Sequence, residues 1–221
     1  MNLHPMPLLP LAGALILSAG AEMKANLDKT EVARRHLGTA LALFLDDLDP
    51  ISVHTLACAG SEVAEHLTRK AGAEPFITHA LATFPDLEIE EFKRLRNQYW
   101  NAFKHATTRD GVERADQGLF DRFDDEKNNH VLFVRWRDYI LAAGTLPPEA
   151  QVFQHWYFAL YPDKLNSDVD STQYERMFPN LKHKSAPARK QMFREAIAAA
   201  RKDRELMGDP RTDPRPLILP A

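Results

Sequence analysis

From Asp28 to Gly208 the apolar residues return every three or four positions, and each run is stopped by Pro, Gly or Asp before the next begins. Such spacing gathers apolar side chains on one face of a helix, and no stretch alternates with the period of two that a half-buried strand needs. The pattern predicts an all-α helical bundle of roughly six to eight helices, with no sheet.

Punctuation sets the predicted boundaries. Asp28 with Glu31 makes a capping-box pattern, and Val32, Leu37, Leu41, Phe44 and Leu45 carry that helix to Asp47. Asp49-Pro50 opens a second helix, because Asp caps and Pro is tolerated at the first helical position; Gly72 closes it. A short helix follows over Pro75 to Phe84, then a long one from about Asp86 to Thr108, and a polar loop to Asn128. Asn129 to Ala143 is helical and closed by Gly144, and Pro147-Pro148-Glu149 opens a helix with a bulky stripe of Phe153, Trp156 and Tyr157. Ser185 caps a last helix to Gly208, rich in Ala, Arg and Lys, with a thin apolar stripe and a solvated mixed-charge face; it belongs at the bundle's edge or against a partner.

The organisation expected is a loosely packed N-terminal extension over 1–27, one domain over 28–208, and a Pro-rich tail over 209–221 that is an extended arm or disordered. Leu8 to Leu17 is apolar and Ala19-Gly20-Ala21 looks like a cleavage site, but no Lys or Arg precedes the run and Pro5, Pro7 and Pro10 interrupt its approach. An extension or an alternative start at Met23 is favoured over a secretory signal. A single cysteine, Cys58, excludes an intrachain disulfide framework and a Cys-based zinc site, and suits a reducing compartment, so the cytoplasm is expected. Lys+Arg 28 against Asp+Glu 31 leaves a net charge of −3, so no global basic field draws nucleic acid and DNA is not an expected partner; nor is a membrane.

Chemistry concentrates on Arg94 to Arg109. Helical register gathers Leu95, Tyr99, Ala102, Phe103 and Ala106 on one face and Asn97, Asn101, Lys104 and Thr108 on the other, with Arg94 and His105 at the flanks. Asn lowers helix propensity, so two in register on a polar face ask for a reason. Lys104 and Arg109 would draw a phosphate or carboxylate, Asn97 and Asn101 would orient it, and His105 would move a proton near neutral pH. Ser61 and Glu62 on the second helix are expected to face this segment and to neutralise Lys104 or Arg96. The alternative is that these polar groups anchor the loop that follows.

Other constellations are thin. His54 with Cys58, and Glu62 with His66, stand at i, i+4 spacing, but HExxH and Glu-x-x-His pairs are missing, so no metal is expected. GxxxxGK[ST] and GxGxxG are missing too, and no cofactor is predicted. Cys58 sits among Ala57, Ala59 and Gly60 and reads as a small core residue.

The run Asn101-Ala102-Phe103-Lys104-His105-Ala106, preceded by Arg96-Asn97 and followed by Arg109-Asp110, resembles a pattern in uncharacterised bacterial all-helical proteins of about this length. The likeness extends from about Asp28 to the Asp163 region, including Asp49 to Leu56 and Phe153 to Pro162. More distantly, Arg-Asn with a downstream His is similar to the HEPN superfamily, helical bundles that include metal-independent RNases and nucleotide-binding proteins. The resemblance implies a module that binds a phosphate-bearing ligand, nucleotide or RNA, with weak RNase activity in which His105 is acid or base and Arg96 or Lys104 steadies the phosphate. In this chain Arg96 and His105 are nine positions apart, where that motif places the His four to six beyond the Arg, so the register turns them to opposite faces. The rival expectation is a non-catalytic interaction protein, a homodimer, whose polar stripe is structural.

Overall fold

The computed structural model of the chain describes residues 27–83, 86, 88–165 and 169–219. Its α-helices are α1 Lys29–Leu45, α2 Pro50–Lys70, α3 Phe76–Thr83, α4 Ile89–Lys104, α5 Gln117–Phe120, α6 Glu126–Ala143, α7 Pro148–Leu160, α8 Thr172–Met177, α9 Ala186–Ala200 and α10 Arg204–Gly208. Among the described residues there is no strand, only two isolated bridges, Thr107 with Glu113 and Leu146 with Thr212. The fold is all-α. It has more helices than expected because α5 and α10, of four and five residues, are too short to show a period.

Caps place the first two helices as the sequence predicts. The Asp28 carboxylate accepts from Glu31 N at 2.8 Å, and Asp49 accepts from the backbone N–H groups of Ile51 and Ser52. Gly144 ends α6 at φ 74°, a left-handed backbone that any side chain would resist.

Helices α1, α2 and α6 pack against one another, and α7, α8 and α9 form a second group joined to α6 and α1. Leu37, Leu41, Val53, Ala57, Leu132 and Trp136 are fully buried where the first three meet. Phe44 meets Phe153 and Trp156 edge-on at 6.1 Å, and Trp156 stacks on Phe193 at 5.5 Å, which ties α1, α7 and α9 together. Each fully buried side chain of this size contributes about 1.5–3 kcal/mol, so these aromatics hold the two groups as one core.

Several expectations change. The helix predicted to reach Thr108 ends at Lys104, where the chain turns extended and the Thr107–Glu113 bridge closes a tight turn. The helix predicted over 185–208 breaks after Ala200, and the Asp203 carboxylate recaps the chain by accepting from Glu205 N and Leu206 N. Nor is the face of α9 wholly solvated: Lys190 is buried, paired with Asp47 at 2.8 Å and Asp125 at 2.6 Å, and stands over the Phe44 ring.

The Pro-rich tail lies against α1. Arg34 has no side-chain exposure and donates through Nε to Asp213 at 2.8 Å, through Nη1 to Leu217 O, and through Nη2 to Pro216 O and Arg215 O. Asp213 N in turn donates to Leu146 O, and Leu146 N to Arg211 O. The extension over 1–26 lies outside the described residues.

Candidate functional site

α4 packs across α2, and its register sets what faces inward. Tyr99 and Ala102 are buried, and Phe103 closes with Tyr99, Phe123 and Phe120 into an aromatic cluster around His54. Leu95, expected on that face, is exposed; the buried stripe of α4 is narrow because the helix packs mainly on one neighbour. One turn away, Arg96 reaches back to α2 and pairs through Nη1 with Glu65 Oε2 at 2.8 Å.

That contact forms one wall of a pocket of about 370 Å³ between α2, α4 and α6, lined by Cys58, Glu62, Glu65, His66, Arg69, Arg96, Asn97, Trp100 and Arg135. Glu65 is engaged on both oxygens, by Arg69 Nη2 at 2.6 Å and by Arg96. Burial alone would raise its carboxyl, but the Arg96 and Arg69 guanidiniums outweigh that and hold it below its ordinary value. Arg96 Nε donates to Asn97 Oδ1 at 3.2 Å. The Lys104 ammonium stands 4.6 Å over the Trp100 ring and steadies it.

The floor is Arg135 on α6. It is 2 % exposed, and its Nε and Nη1 have no hydrogen-bond partner. The Cys58 thiol lies beside it as a weak acceptor; burial pushes that thiol above its ordinary value against the pull of the guanidinium, which keeps it a poor nucleophile. Burial likewise pulls Arg135 below its own ordinary value, with Cys58 and Asp138 opposing. Asp138, the nearest carboxylate on α6, is already committed, since its Oδ1 accepts from Phe76 N at 2.7 Å. Buried charges are normally paired, and guanidinium donors are the sort that carboxylates and phosphates satisfy.

The sequence-predicted residues divide. Arg96, Asn97 and Glu62 line the pocket, whereas Asn101, Lys104, His105 and Arg109 do not. Lys104 reaches it only through Trp100, and His105 and Arg109 are exposed beyond the end of α4. The carboxylate that meets Arg96 is Glu65, one turn on from the expected Glu62. Ser61 lies outside the described residues, as far as its side chain is concerned. Arg135 and Arg69 were not predicted. Arg135 had a signal: it falls beside Leu132 and Trp136 in an otherwise apolar helical register, where a charge needs a partner.

Among the described residues no group of three or more His, Cys, Asp or Glu is placed to hold a metal, and no helix is long and apolar enough to cross a membrane. No protein-family model, curated protein or solved structure matches the chain.

Proposed function

We propose that the protein is a helical module that binds a phosphate-bearing ligand, nucleotide or RNA, in the pocket between α2, α4 and α6. The observation that carries the reading is Arg135, a guanidinium buried at the pocket floor with two donors unpartnered. Arg96 and Arg69 add charge at the wall, and Asn97 adds an amide for orientation. The volume falls near the lower end of small-molecule sites, which suits one nucleotide unit.

Binding is the whole of the proposal, with no reaction assigned to it. An RNase of the HEPN kind would need His105 at the phosphate, and His105 does not line this pocket. Titration of the full chain with inorganic phosphate, AMP and a short single-stranded RNA, followed by calorimetry, tests the reading. Saturable binding that Arg135→Met removes and His105→Ala leaves intact is expected; binding unaffected by Arg135→Met, or none at all, would overturn it. A cleavage assay on the same RNA with wild type and His105→Ala separates binding from hydrolysis.

A further inference from the structure

The charges around the pocket discriminate among phosphate-bearing ligands. Among the lining residues three guanidiniums, Arg69, Arg96 and Arg135, face two carboxylates, Glu62 and Glu65, a formal surplus of a single positive charge, with the Lys104 ammonium outside the lining over the Trp100 ring. Glu65 is spent on Arg69 and Arg96, and among the described lining residues the buried guanidinium donors without a partner are those of Arg135. Glu62 has no such engagement: it is exposed at the pocket and faces whatever enters. A ligand with one negative charge balances this set. A phosphate monoester dianion or a polyphosphate would place its further charge against Glu62, and would cost more to desolvate at a floor as closed as Arg135.

The same lining offers an aromatic surface. Trp100 borders the pocket, and the Lys104 ammonium covers one face of its ring, so the indole is held as a wall. Flat bases stack on such surfaces without a hydrogen-bonding code. Room for about 370 Å³ admits one base with its sugar and phosphate, not a strand.

Resting on the phosphate-binding reading above, we infer that the ligand is a mononucleotide whose phosphate is a singly charged diester, a cyclic nucleoside monophosphate, with its phosphate on Arg135 and its base against Trp100. Arg135 supplies the donors, Glu62 excludes extra charge, and Trp100 selects for a base.

The test is calorimetric titration of the full chain with cyclic AMP, AMP, ATP and inorganic phosphate. Cyclic AMP is expected to bind about tenfold or more tightly than AMP and ATP, which corresponds to one uncompensated charge in a partly exposed site. Glu62→Gln should narrow that gap by strengthening AMP and ATP, and Trp100→Ala should weaken cyclic AMP while leaving inorganic phosphate unchanged. Binding of AMP or ATP as tight as that of cyclic AMP, or a gap that Glu62→Gln does not move, overturns the inference and leaves the phosphate reading standing. If none of the four binds wild type, both fall.

Discussion

Two arginines lie in the interior without solvent, and their surroundings differ. Arg34 finds a carboxylate and three carbonyls, so its donors are answered, whereas Arg135 leaves Nε and Nη1 open. Opposite mutational signs follow. Arg34→Met takes from Asp213 one of its two guanidinium partners, the other being Arg215, and leaves three tail carbonyls without their donor, which should cost about 1–3 kcal/mol. Arg135→Met removes an unpaired buried charge while keeping much of its volume, and should raise stability by about 1–3 kcal/mol. Urea denaturation midpoints measure both; a large loss with Arg135→Met would mean the guanidinium has a structural partner. His54 gives a third prediction. It is buried among Tyr99, Phe103 and Phe123, its Nδ1 lies 3.0 Å from Asn128 Oδ1, and burial pushes its imidazole down to about 4 from 6.5. A base lowered on folding takes up its proton first in the unfolded chain, so this stability is complete above pH 6.5 and is lost as pH falls to about 4. The loss amounts to about 3 kcal/mol. His54→Gln should flatten the stability profile across that window without abolishing the slope, because His130 and His155 are also lowered by burial. An unchanged slope would contradict the burial of the neutral ring.

At the scale of elements, caps and close approaches decide boundaries. Asp49→Ala removes the acceptor for Ile51 N and Ser52 N at the start of α2 and should cost about 1 kcal/mol, read as a shift in denaturation midpoint. On α1, a Cβ at Gly38 would collide with the Leu217 carbonyl and press on Arg34 Nη1, so Gly38→Ala should release the tail. Limited proteolysis within residues 209–219 would report that release; a tail as resistant as in wild type would contradict the packing. These elements also show what was legible beforehand. Asp28 and Asp49-Pro50 announce α1 and α2 because capping is local chemistry. The break between α9 and α10 was missed because Arg201 and Lys202 are good helix formers and only Asp203 signals the restart. The docked tail could not be read from its prolines, since its partner is Arg34, far away in the chain. At the site, register on α4 picked out Asn97 and the Arg-Asn resemblance picked out Arg96, but neither gave the residues opposite them. Glu65 and Arg135 reach the pocket through the packing of α2 and α6, which no single-helix period encodes.

For the molecule as a whole, α1, α2 and α6 form a well-packed core, α7 and α9 extend it, and the tail closes the side of α1. The pocket lies where α4 crosses α2, with its unanswered charge contributed by the core helix α6. A core normally pairs its charges, so retaining an unpaired arginine there fits a site completed by an anion. Ligand binding should therefore supply stability that the chain alone lacks. At a ligand concentration 100 times Kd the gain is about 2.7 kcal/mol, which for a chain of this size raises Tm by about 5–10 °C. The most direct test is thermal unfolding of wild type and Arg135→Met, each with and without saturating AMP. The variant is expected to melt higher than wild type in buffer and not to respond to AMP, while wild type rises. A variant that melts lower than wild type and still gains the same shift would contradict it.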